Sequence, residues 1–283
     1  MTHARNFTRP GFVLALGLAT TALTTVIAPT PARAEECLLD TDNNGVPSAG
    51  DTDGGATSAG NDALACGVAA DATASLSTAV GAQADATALA ASAFGSQAIA
   101  SGIASSALGH NSDATGTGAT AIGVSAQATA NFATAVGRIA NASAIGATAL
   151  GSEAQATGDR SVAIGTFNDR SGRLTQAAGG YSVAIGPGAQ TTAAGAFGVA
   201  IGSTSTAGNE GTVAIGGQAS AMGFHATTVG SAAQAGATNA TALGFGANAS
   251  ATNSVALGVG SVANQANTVS VGTAGAERRI VNV

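Results

Sequence analysis

The sequence has no lysine and no tryptophan, a single tyrosine, two cysteines and five prolines in 283 residues, and only 8% of its residues are charged. Each scarcity excludes something. Three of the nine arginines (Arg5, Arg9 and Arg33) fall within the first 34 residues, and all fifteen carboxylates come later. The remainder therefore sets six arginines against fifteen carboxylates, a net charge of −9 that offers nucleic acid no electrostatic footprint. Too few large side chains are present for an ordinary globular core, and too little charge and proline for a disordered chain. Beyond residue 34 no stretch approaches the roughly 18 consecutive apolar residues of a membrane helix. No aromatic-rich alternating strands at the C-terminus suggest a barrel either, so no membrane insertion by this chain is expected.

Residues 1–34 read as an export signal peptide. Arg5 and Arg9 precede an apolar run from Gly11 to Ala28, and Pro31-Ala32-Arg33-Ala34 supplies an A-x-A cleavage site. Export would place Cys37 and Cys66 in an oxidising compartment, where a disulfide between them is expected. Residues 35–66 then form an acidic N-terminal cap.

What the sequence has in abundance is alanine and glycine, the latter 41 times. The glycines that close each x-A-h-G unit, where h is apolar, run from Gly67 to Gly272, and twelve of the fourteen intervals between them are 14 residues long. A fixed short period marks stacked units that cannot bury their apolar face alone. Three residues after the glycine comes Ala or Ser in thirteen of the fourteen units from Gly67 to Gly258, as in "GVSAQATA" (Gly123 to Ala130). Alanine then alternates with polar residues, a period of two and hence strand. Each unit reads as strand, two-residue turn, strand, two-residue turn, and parallel stacking of such units makes an all-β roll or β-solenoid. Helices are excluded because a glycine in every unit would break them too often.

Pleating assigns the faces. With Ala119 and Ala121 of "ATAIG" turned into the narrow interior, Thr120 and Ile122 must face outward. The outward h position reads Val80, Phe94, Leu108, Ile122, Val136, Leu150, Ile164, Ile185, Ile201, Ile215, Val229, Leu243, Leu257 and Val271. Stacked at about 4.8 Å per rung, they form an apolar ridge on the order of 60 Å long. Soluble monomers rarely expose such a patch, so the ridge predicts self-association. The opposite arrangement, large residues inward and alanines outward, would give a monomeric solenoid.

SVAIG (Ser161 to Gly165, and again Ser182 to Gly186), "NSVALG" (Asn253 to Gly258) and the 14-residue spacing resemble the YadA-like heads of trimeric autotransporter adhesins. The resemblance covers residues 67–272, and residues 273–283, with Glu277, Arg278, Arg279, Ile280 and Asn282, resemble the start of the neck that follows such heads. It implies a left-handed parallel β-roll of 14-residue repeats, assembled as a homotrimer whose ridges meet on the three-fold axis. It also implies a non-catalytic cell-surface adhesin at the outer membrane, binding extracellular matrix proteins or other cells. Such heads continue into a coiled-coil stalk and barrel anchor; the sequence stops at Val283, so a fragment or a secreted head are both open.

Other constellations carry less. Asp40, Asp42, Asn44, Gly45 and Asp51 match positions of a calcium loop, but Pro47 interrupts it and no flanking helices are evident. His110 and His225 occupy similar turn positions with no carboxylate and nucleophile beside them, so no cofactor, metal or catalytic role is expected. A rival reading is an ice- or mineral-surface-binding solenoid, since Thr120, Thr134 and Thr148 would stack in one file before it changes to Val162, Val183, Val199 and Val213.

Two intervals depart from 14. From Gly165 to Gly186 the spacing is 21, which reads as an ordinary rung carrying seven inserted residues, Thr166 to Gly172. This protruding loop supplies Phe167, Asn168, Asp169 and Arg170, with Arg173 just beyond, and is the candidate ligand loop. The 16-residue interval before Gly202 suggests a smaller bulge near Pro187.

Overall fold

The computed structural model describes Cys37, residues 53–167 and residues 170–282. Among them lie thirty short strands, β1 (Thr57–Ser58) to β30 (Val269–Ser270) in chain order. Odd-numbered strands form one 15-stranded parallel sheet and even-numbered strands a second, so the chain is an all-β parallel solenoid of about 15 turns. Adjacent rungs are in register: Thr120 lies beside Thr134, Ala121 beside Ala135 and Ile122 beside Val136.

The interior is alanine. Ala119, Ala121, Ala126 and Ala128 of one rung are wholly buried, and the largest wholly buried side chains anywhere among the described residues are threonines. Two sheets this close admit nothing larger, so the big apolar residues are turned outward and a monomer with large residues inside is ruled out.

The repeat glycine is needed for space and for backbone conformation. Gly123 has φ of 128°, and a Cβ placed on it would lie 2.6 Å from the carbonyl oxygen of Gly137 one rung on. Backbone stacks on backbone at this corner, and any side chain would part the rungs.

The turns differ from the sequence expectation. Four residues separate β10 (Thr120–Ile122) from β11 (Gln127–Ala128), and five separate β11 from β12 (Thr134–Val136), so neither turn has two residues. Each corner instead passes through a left-handed residue, Ser125 at φ 54° and Phe132 at φ 59°. Their N–H groups donate to the previous rung, Ser125 to the His110 carbonyl at 2.9 Å and Phe132 to that of Thr117 at 2.8 Å. Ser125 and Phe132 are seven residues apart, as are Gln97 and Ala104 below them, so each rung consists of two similar halves.

The 21-residue interval leaves the stack intact. β15 (Gln155–Ala156) pairs with β17 (Gln176–Ala177), and β16 (Val162–Ile164) pairs with β18 (Val183–Ile185), so the inserted residues leave the roll between β16 and β17. Thr175 takes the inward position usually held by alanine. Its hydroxyl lies 3.0 Å from the Thr166 carbonyl and 2.8 Å from that of Gly186, pinning the base of the insertion.

The smaller bulge is not near Pro187. That corner is regular, with Gly188 at φ 70° and the Thr204 N–H donating to the Pro187 carbonyl at 3.0 Å. The two extra residues fall within residues 192–198, between β19 (Gln190–Thr191) and β20 (Val199–Ile201). There Gly195 and Gly198 each donate an N–H three residues back, to Thr192 and Gly195, widening the turn without shifting either strand.

Candidate binding surfaces

The apolar ridge runs along the outer face of the even-numbered sheet. Leu108, Ile122, Val136, Leu150, Ile164, Ile185, Ile201 and Ile215 are successive partners in the ladder. Every side chain stays partly open to solvent: Leu108 is 49% exposed and Leu257 45%, whereas Val136 and Ile164 are half-buried by their neighbours. A shallow recess of about 440 Å³ opens where Phe94, Leu108 and Ile122 meet. Two residues before the ridge stands a parallel file in which threonine gives way to valine from Val162 to Val213, so it offers no continuous hydroxyl lattice.

Cys66 holds the ridge position of the first rung, beside Val80. It is joined to Cys37 within the chain, with Cα atoms 4.7 Å apart, and the Cys37 N–H donates to the Ala65 carbonyl at 3.3 Å. At the other end Arg278 closes the last rung, donating to the carbonyls of Val271 at 2.8 Å and Val259 at 2.7 Å. Beyond it Ile280 and Val281 are exposed, and Glu277, whose carboxylate accepts the Gly275 N–H at 2.8 Å, is held below the usual carboxylate range by that bond. The calcium-loop residues Asp40, Asp42, Asn44, Gly45 and Asp51, and residues 1–34, lie outside the described residues. Among the described residues no group of three His, Cys, Asp or Glu side chains could hold a metal ion, and no helix is long and apolar enough to cross a membrane.

The insertion separates the five residues read as one loop. Asn168 and Asp169 lie outside the described residues, while Phe167 and Arg170 are exposed. Arg173 instead lies across two further rungs: Nη2 donates to Gln190 Oε1 at 2.7 Å and Thr206 Oγ1 at 2.9 Å, and Nη1 to the Thr204 carbonyl at 3.0 Å. Burial lowers its pKa from the usual guanidinium value. Between insertion and roll is a groove of about 710 Å³ lined by Thr166, Phe167, Arg170, Arg173, Pro187, Thr204 and Gln218, among others.

Two features escaped the sequence reading. At the second left-handed corner Tyr181 and Phe197 stack with ring centroids 5.4 Å apart, and the Arg160 guanidinium lies over the Tyr181 ring at 5.5 Å. Counting back from the repeat glycine would have found them, since Tyr181 and Phe197 precede Gly186 and Gly202 by five residues, as Phe132 precedes Gly137. On the odd-numbered sheet, Asp71 and Asp85 are paired in register, with Ile99 and Asp113 continuing the file. Burial, and then the Asp71 charge, raises the pKa of Asp85; burial alone raises that of Asp113. One buried carboxylate oxygen on each of these aspartates has no hydrogen-bond partner.

The YadA head domain repeat model matches residues 86–112, 114–138, 142–168, 172–189, 177–205 and 249–274. The chain belongs to the YadA head-repeat family. Between the matched segments the same rungs continue, with β23 (Ser220–Ala221), β25 (Gln234–Ala235) and β27 (Asn248–Ala249) paired in register. Among solved structures, the chain is similar to the collagen-binding domain of the Yersinia adhesin YadA, at 21% identity over 72% of this chain and 75% of that one, with a TM-score of 0.24. A search of curated proteins finds no match.

Proposed function

We propose that this chain is the head of an exported cell-surface adhesin that assembles as a homotrimer about its apolar ridge. The observation that carries the reading is the ridge itself. Fourteen aligned outward residues would each contribute roughly 1.5–3 kcal/mol if fully buried, far more than a monomer would leave in water. Membership of the YadA head-repeat family supports the same assembly, and the collagen-binding activity named for the Yersinia domain supports an extracellular matrix ligand. With the ridges turned to a common axis, the odd-numbered sheet and the insertion remain outside to meet matrix proteins or other cells.

The test is the mass of the purified protein by light scattering, followed by solid-phase binding to collagen and fibronectin. A trimer that binds either protein supports the reading. A monomeric mass refutes the assembly, and a trimer that binds neither protein and attaches to no host cell refutes the adhesive role.

A further inference from the structure

Among the described residues Arg173 is a half-buried cation without an opposing charge, whereas Arg160 and Arg278, which also meet neutral groups, are exposed. Arg138 has Glu153 as its ion-pair partner, but the three bonds made by Arg173 all go to neutral acceptors on the next two rungs of the stack. Among the described residues no carboxylate meets it. A guanidinium has five N–H donors. The bonds to Gln190, Thr206 and Thr204 use three, leaving Nε–H and one Nη1–H. Taking a charge partly out of water without a counter-ion is costly, and the lowered pKa of Arg173 reflects that cost.

The groove beside Arg173 offers what a counter-ion's carrier would need. Its volume, about 710 Å³, lies within the range of sites that bury drug-sized ligands. Thr166, Thr204 and Gln218 supply hydroxyl and amide groups, while Phe167 and Pro187 supply flat apolar surface. Hydroxyl-rich ligands with apolar C–H faces match that mixture better than a peptide does. The chain's net charge of −6 repels polyanions elsewhere, so an acidic ligand would be directed to this place.

We propose that the groove between the insertion and the roll binds an acidic polysaccharide through one of its oxyanion groups, with Arg173 as the charge partner. The fixed hydrogen bonds to Gln190 and Thr206 hold the guanidinium still, so little side-chain freedom is lost on binding. Carboxylate and sulfate share the required chemistry. This inference rests on the adhesin reading and names the ligand class of one of its surfaces.

The experiment titrates the purified full chain, at low and physiological salt, with heparin, polygalacturonate, polyglutamate and neutral dextran. We expect heparin or polygalacturonate to bind, dextran not to bind, and Arg173→Gln to weaken binding tenfold or more. Preference for heparin identifies sulfate, and preference for polygalacturonate identifies carboxylate. Binding of neither polysaccharide, tighter binding of polyglutamate, or unchanged binding by Arg173→Gln overturns the proposal. Gln218→Glu puts a carboxylate in the groove without touching the bonds of Arg173, and it should weaken binding in the same way should Arg173→Gln fail to fold. Trimer mass and attachment to collagen are measured in parallel. Their persistence without polysaccharide binding removes the groove while leaving the adhesin reading standing, and their loss in the unmodified protein removes the adhesin reading itself.

Discussion

Replacing Leu108 by aspartate tests whether the ridge is the assembly surface. Leu108 is 49% exposed in the single chain, while Ala107 beside it is turned inward and buried. The open part of the leucine is on the order of 90 Å², which at about 25 cal/mol per Å² gives roughly 2 kcal/mol for burial in an interface. Three copies on one axis give about 6 kcal/mol, a loss of roughly 10⁴-fold in the assembly constant before any repulsion among three carboxylates is added. Because the side chain lies outside the alanine core, the single chain should keep its β circular dichroism. Sedimentation equilibrium reads the outcome: Leu108→Asp should be monomeric at concentrations where the unmodified protein is a trimer. Gln234→Asp, which places one carboxylate on an exposed position of the other sheet, should leave the trimer unchanged. An unaltered mass for Leu108→Asp, or dissociation by Gln234→Asp to the same extent, would refute the reasoning.

Two further outcomes follow from the structure. The pKa values of Asp85 and Asp113 are raised, so the folded protein takes up protons there more readily than the unfolded chain and their charged forms cost stability at neutral pH. Stability from these two groups should therefore increase as pH falls through their raised values towards the ordinary carboxylate value of about 3.9. Asp85→Asn should raise the melting temperature at pH 7, by an amount equivalent to up to about 1 kcal/mol for a like-charge pair removed, and should flatten the acid side of the profile. A lower melting temperature for Asp85→Asn at pH 7 contradicts this. Cys37→Ser opens a disulfide with a sequence separation of 29, worth roughly 2–4 kcal/mol locally. Hydrogen exchange should quicken in the rungs near Cys66 and stay slow near Ile201; uniform loss of protection along the roll would show that the N-terminal staple holds the whole stack.

The sequence alone determined the architecture, because in a solenoid each residue's neighbours are set by the period. Once Ile122 is 14 residues from Leu108 and from Val136, stacking makes them neighbours, and pleating turns Ala121 inward without knowledge of any other part of the chain. The insertion was legible for the same reason: counting back from Gly186 isolates residues 166–172. The widened turn at residues 192–198 was misplaced to Pro187 because both corners are rich in small residues, and only the register of Gln190 and Val199 separates them. The left-handed corners were hidden because Ser125, Ile139, Glu153 and Asn253 share a conformation and no chemistry.

Tertiary structure alone decided where Arg173 points. Its partners Gln190 and Thr206 are 17 and 33 residues away, neither interval is a multiple of the repeat, and a seven-residue excursion lies just before it. A periodic sequence fixes contacts between equivalent positions. A long side chain leaving a non-equivalent position finds its place only when the rungs are stacked beside it.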